Sequence, residues 1–228
     1  MGDLLEETFI DPPDEFTPIP FWFWNDSLNR DEILRQMADF RSKGVMGVVI
    51  HPRIGLPREI GYLSDAFMDM VETAVEEAEA TGMVIYLYDE GMYPSGSAHG
   101  MVVEGHPELA SRGLMKVENL CQGPAVIPIN LDWGERLVSV QAARWIAENE
   151  LDLSASQVLA IEEGKVRFTP PDDGSWSVFL FVETFTRGVI RGIHFGEDDW
   201  EENPPEAADL LNPEVVQRFI QLTHEKYY

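Results

Sequence analysis

The stretch VIYLYDEGMYPSG, residues 84–96, decides how the chain is read. Its first five residues, Val84 to Tyr88, form a β-branched and aromatic run of strand length. Asp89 and Glu90 follow at once, and then a loop rich in Gly, Tyr, Pro and Ser. A hydrophobic strand that runs into two carboxylates is what an α/β sheet presents at the carboxyl ends of its strands, where ligands are met.

Two earlier segments repeat the pattern. VMGVVIHPR, residues 45–53, is a continuous β-branched run without alternation, which suits a strand of a parallel sheet covered on both faces, and it ends on His51 and Arg53. FTPIPFWFW, residues 16–24, reads as a strand that ends on Trp24, Asn25 and Asp26. Between these two strands, Asn29 caps a helix with Glu32 at its third position, Ile33, Leu34, Met37 and Phe40 recur at helical spacing, and Gly44 stops the run. Ser64 caps a second helix over residues 65–80, with Phe67, Met70, Val71, Ala74, Val75 and Ala78 on one stripe and acids opposite, and Gly82 closes it. The order β-α-β-α-β with short connections predicts a parallel α/β sheet or barrel.

Near Gly113 the pattern changes. Short apolar runs separated by turn signals follow (AVIPINL, RLVSVQAARWI, KVRFT, WSVFLFVETF and VIRGIHF), and they predict an antiparallel β-rich module inserted into the α/β unit. The acidic linker GEDDWEENPPEAAD leads to a last helix capped by Asn212, with Pro213 first and Val215, Val216, Phe219 and Ile220 on its face. The predicted organisation is therefore the first β/α units at 1–113, an inserted module at 114–202 and a return helix at 203–228. An eight-stranded barrel needs about 250 residues. Three barrel strands thus predict the N-terminal part of a (β/α)8 TIM-like barrel.

Composition narrows the function classes. Of 228 residues, 41 are Asp or Glu and 16 are Lys or Arg, a formal charge of −25. Phosphate binding needs a basic surface, so nucleic acid is not an expected partner. No run approaches about 18 uninterrupted apolar residues, so no membrane span is expected. The acidic start MGDLLEETFIDPPDEF lacks the basic and then apolar pattern of a secretory signal, and a cytoplasmic location is expected. Cys121 is the sole cysteine, which rules out an internal disulfide.

At PFWFWND, at GVVIHPR with its following GL and YLS, and at YLYDEGMYPSG, the sequence resembles the catalytic region of the rhamnosidase-like glycoside hydrolases of family 106. ADLLNPEVVQRFIQLTHEKYY is similar to the helix that precedes the next barrel strand in that family. The resemblance implies a (β/α) barrel that hydrolyses terminal α-L-rhamnosides or related deoxysugar linkages with inversion and calcium assistance. It also implies that further catalytic acids lie on later strands, so the isolated chain is expected to be inactive. A truncated non-catalytic relative, or a carbohydrate-binding protein, is the alternative.

Inversion needs two carboxyl groups roughly 6.5–9.5 Å apart. Asp89 and Glu90 are the catalytic candidates in this chain, yet neighbours on an extended strand point to opposite faces, so they are not expected to be that pair. One is expected to bind sugar hydroxyls or calcium and the other to brace the barrel. Trp24 is a candidate for stacking on a pyranose and equally a core residue. Asn25, His51, Arg53, Tyr93 and His99 complete the candidate substrate-binding set. His106, His194 and His224 carry no constellation in the sequence. Open strand edges predict self-association.

Overall fold

The computed structural model describes residues 2–192 and 202–228. The chain forms two compact units, one made of Met1–Leu109 with Gly188–Tyr228 and the other of Ala110–Arg187.

The first unit begins with helix α1 (Gly2–Ile10) and strand β1 (Phe21–Trp24). Helix α2 (Arg30–Ser42) follows, capped as the sequence predicts by Asn29, whose side chain accepts from the Glu32 amide. Strand β2 (Gly47–Pro52) leads to α3 (Asp65–Thr81), which Ser64 caps and Gly82 ends in the left-handed conformation. Strand β3 (Val84–Leu87) and the two-residue β4 (Met92–Tyr93) come next. Strands β1, β2 and β3 lie parallel in that order, with Phe23 opposite His51 and Ile50 opposite Leu87.

Period-2 alternation gives this sheet two unlike faces. Trp22, Trp24, Val48 and Ile50 point to one side, where Ile33 and Met37 of α2 and Phe67, Val71 and Ala74 of α3 close over them. Trp24 packs edge-on against Trp22 and Phe67, with both ring pairs at 5.5 Å. Each such ring contributes roughly 2–3 kcal/mol by leaving water. Phe21, Phe23, Val84 and Tyr86 point to the other side and are about half exposed. The run through β2 predicts cover on both faces, but α2 and α3 both pack on one face, and among the described residues Phe21, Phe23, Val84 and Tyr86 on the other stay about half exposed. The described strands form an open sheet and not a closed barrel.

The second unit contains β5 (Arg112–Cys121), β6 (Ala125–Pro128), β7 (Arg136–Ala147), β8 (Glu150–Val158), β9 (Ile161–Glu162), β10 (Lys165–Phe168) and β11 (Trp176–Phe185). One antiparallel sheet runs β5-β11-β7-β8 and a smaller one runs β6-β10-β9. Alternate residues of β11, namely Trp176, Val178, Leu180 and Val182, meet Ile127, Val166 and Phe168 of the smaller sheet in a single core. Two sheets that share a core are the arrangement expected of alternating antiparallel strands.

The chain then returns to the first unit through β12 (Arg191–Gly192), α4 (Pro213–Leu222) and α5 (His224–Tyr227). VIRGIHF is thus not a strand of the antiparallel module in its described part, since Arg191 and Gly192 pair with β4. The rest of it, with His194 and the first part of the acidic linker, lies outside the described residues. Asn212 caps α4 with Pro213 at its start, and Val215 joins Ala98, Val102 and Leu109 in a small core. Val75 departs from the predicted stripe of α3: it is 43% exposed, because the buried arc passes through Val71, Ala74 and Ala78.

Two glycines test the sheet-end loops. Gly55 has a φ of +106°, and a Cβ there would stand 2.2 Å from the Asn25 carbonyl oxygen, whereas a Cβ on Gly82 (φ +75°) meets nothing within 4 Å. Gly82→Ala should cost about 1 kcal/mol of left-handed strain. Gly55→Ala adds a backbone collision and should cost at least about twice that, measured by urea denaturation.

Candidate active site at the strand ends

The carboxyl ends of β1, β2 and β3 bring the candidate residues to one end of the sheet. His51 is 7% exposed on the helix-free face. Tyr88 stacks on its ring at 4.1 Å, and Phe21 and Phe23 present their edges at 5.2 and 5.3 Å. Nδ1–H donates to the Pro52 carbonyl at 2.9 Å, which leaves Nε2 as the acceptor nitrogen. Burial lowers the basicity of the imidazole, the Pro52 bond partly opposes this, and the Arg53 charge adds to it. His51 is therefore neutral near pH 7.

Arg53 is held by its amide, which donates to the Trp24 carbonyl at 2.9 Å, and its guanidinium lies 5.1 Å from the centre of the Phe23 ring. The rings of Phe21 and Phe23 are parallel within 6° at 6.1 Å. The two parallel rings stand beside His51, with Arg53 over the ring of Phe23. Asn25 and Asp26 are exposed in the loop after β1, where Asp26 accepts from the Ser27 amide at 2.7 Å. Trp24 does not belong to this surface. It is 2% exposed in the helix-covered core, and its buried indole N–H has no hydrogen-bond partner among the described residues.

Asp89 and Glu90 diverge, as adjacent residues leaving a strand must. Asp89 stays near the surface and accepts from Nε2 of His224 in α5 at 2.8 Å. Glu90 is 1% exposed, and its Oε1 accepts from the Gly96 amide, with the Ser97 and Ala98 amides acting on the same carboxyl. Burial raises its pKa to about 7, the Gly96 bond opposes that shift, and the Asp89 charge reinforces it. Glu90 thus organises the loop at 94–98. Gly96 suits its φ of +92°, which strains any other residue, and a Cβ there would also have to displace the end of the Leu210 side chain.

Two tyrosines lie behind this pair. Tyr62 is 5% exposed; burial pushes its hydroxyl far above the ordinary range, and the neighbouring Tyr227, Glu90 and Asp89 add to the shift. Its oxygen has no hydrogen-bond partner of good geometry among the described residues. Burial pushes the Tyr227 hydroxyl up to about 12.

Tyr93 is 70% exposed, paired with Arg191 across the β4–β12 ladder. His99, with a left-handed φ of 54°, places Nδ1 3.3 Å from the Gly91 carbonyl and lines a cavity of about 490 Å³ with Glu104, Pro107 and Pro205. Both lie on the stretch after β3, Tyr93 against β12 and His99 against the Gly91 backbone. His224, Tyr62, Tyr88 and Tyr227 are neighbours of the candidate residues that the sequence did not single out. Only Tyr88 carried a signal, two positions after Tyr86 on the same face of its strand.

Among the described residues no three His, Cys, Asp or Glu side chains converge, Asp89 is engaged by His224, and Glu90 is held by amides. Among the described residues no helix is long and apolar enough to cross a membrane. No protein-family model matches the chain, and no curated protein is significantly similar to it in sequence.

Glu90 carries a pH signature. Its folded value of about 7 lies above the ordinary 4.5, so the folded state holds the extra proton between these values. Stability from this group is complete below about pH 4.5 and falls as pH rises through about 7, by roughly 3 kcal/mol. His51, with its lowered value, works in the opposite direction, so the difference between wild type and Glu90→Gln is the informative quantity. Urea denaturation at pH 5, 6, 7 and 8 should show Glu90→Gln gaining on wild type as pH rises; a constant difference would refute the assignment. His224→Ala should cost less than about 1 kcal/mol by the same measurement, because the pair with Asp89 is half exposed.

Proposed function

We propose that the chain is the N-terminal portion of a (β/α) barrel glycoside hydrolase that cleaves terminal α-L-rhamnosides or related deoxysugar glycosides. The observation that supports this reading is the meeting of Phe23 with His51 and Arg53 near the carboxyl ends of β1 and β2, with Phe21 beside them and Asp89 following the end of the adjacent strand β3. Aromatic faces match the apolar C–H face of a sugar ring, while a neutral imidazole and a guanidinium fix its hydroxyls. The half-exposed aromatic face and the two unpaired edges of the described sheet support further barrel strands as its complement. The same open edges support self-association when the complement is missing.

In this reading Arg53 and the Nε2 atom of His51 hold the sugar, and Asp89, oriented by His224, faces its hydroxyls. Glu90 is a positioning residue, since it acts through the loop at 94–98. The second carboxyl group of an inverting pair comes from a later strand. A non-catalytic carbohydrate-binding protein is the second reading. The engagement of both Asp89 and Glu90 favours it, because it leaves no pair of carboxylates facing one space.

Saturation-transfer NMR with an aryl α-L-rhamnoside separates these readings from a protein that binds no sugar. Transfer to the glycoside should appear with the wild-type chain and fall at least about fivefold in Arg53→Ala and Phe23→Ala. Hydrolysis should appear only in a form that carries the later strands. Transfer that is absent, or insensitive to both substitutions, overturns the assignment of this surface; binding without hydrolysis in the longer form selects the second reading.

A further inference from the structure

Along its length α3 borders a groove of about 440 Å³. Its floor is Met68 and Val75 of α3, and Leu87 of β3 with Tyr227 of α5 forms the opposite wall. Val75 and Leu87 are 43% and 38% exposed, so apolar surface is left open along the helix. Glu72, Glu76 and Glu79 rise along one flank at helical spacing, and no Lys or Arg lines the groove. Arg30 lies 3.8 Å from Glu76, and Lys226 lies 4.0 Å from Asp65 at the start of α3; both ion pairs are solvent-exposed. From Met68 to Glu79 the helix advances roughly 16 Å, about three turns.

We propose that this groove docks a basic amphipathic helix from a partner protein, about three turns long, with an apolar seam and Lys or Arg on the flank that meets Glu72, Glu76 and Glu79. An apolar floor alone would accept any hydrophobic stripe. The one-sided acidic wall selects charge and direction, as flanking charges do in paired helices. A second copy of this chain fits less well, because each copy carries a formal −25 and would set acid against acid. Tyr227 and Leu87 lie close to the candidate site, but Glu72, Val75 and Glu79, on which the test rests, take no part in it.

Fluorescence anisotropy with three labelled 14-residue peptides tests it on the full chain. One has Leu at seam positions and Lys on the flanks, one has the same composition in scrambled order, and one has Glu in place of Lys. The Leu/Lys seam peptide should bind the wild type, with at least about tenfold weaker binding to Val75→Glu and to the Glu72→Lys/Glu79→Lys double variant. The scrambled peptide and the Glu peptide should bind at least about tenfold more weakly than the seam peptide. Far-UV circular dichroism of both variants should match wild type, since the changes lie on an exposed helix flank. Equal binding of seam and scrambled peptides would reduce the effect to bulk attraction by an acidic protein and overturn the proposal. Equal binding of the Glu peptide, unchanged binding by the variants, or no binding would also overturn it. So would a wild-type dimer in sedimentation that Val75→Glu turns into a monomer, which would assign the groove to a second copy.

Discussion

A slip of one residue between β1 and β2 would exchange Trp22 and Trp24 with Phe21 and Phe23, and nothing else in the first unit would survive the exchange. The register that opposes Trp22 to Ile50 and Phe23 to His51 sends the two indoles into the core beneath α2 and α3. The same register leaves two phenyl rings around His51 on the opposite face. Burial of Trp24 and Phe67 therefore fixes which side of the sheet becomes a core. What remains on the other side becomes the candidate site. Specificity for one register is strong because one face is covered and the other is not.

The two acids after β3 show how one geometrical fact produces unlike chemistry. Asp89 and Glu90 leave the strand in opposite directions. Asp89 meets His224 near the surface, whereas Glu90 sinks into a loop of amides and holds its proton to about neutral pH. Desolvation outweighs the amide bond in setting that proton affinity. A carboxyl group in this position braces Gly96 to Ala98 whether charged or neutral, because its oxygen accepts in both forms.

Local chemistry was legible in the sequence wherever the partner sat within four residues. Asn29, Ser64 and Asn212 each cap the helix they were expected to cap, and Gly82 ends α3, because capping depends on backbone geometry alone. The parallel order of three strands followed from the alternation with helices. The contact between Asp89 and His224 spans 135 positions and has no local signature. Helix α1 and strand β8 were not foreseen, although Leu151, Leu153 and Ala155 alternate with polar residues along β8. Val75 was misplaced for a related reason: its spacing suits the stripe, but the width of the arc that faces the sheet is decided by what packs there. The expected three parallel strands are present as an open sheet, and closure into a barrel depends on strands that the described sheet does not contain.

The first unit is written in two pieces with the second unit between them, and this imposes a timetable. Ser97 accepts from the Ala208 amide, Arg218 bonds the Val102 carbonyl, and β12 pairs with β4, each across about a hundred positions. At synthesis rates of roughly 5–20 residues per second, the 78 residues of Ala110–Arg187 separate the two pieces by about 4–16 seconds. During that interval the nascent β1–β3 sheet has emerged while the loop that holds Glu90 lacks Leu210 and α4 beside it. The ribosome therefore presents the aromatic face of this protein to its surroundings before the loops around it have their final support.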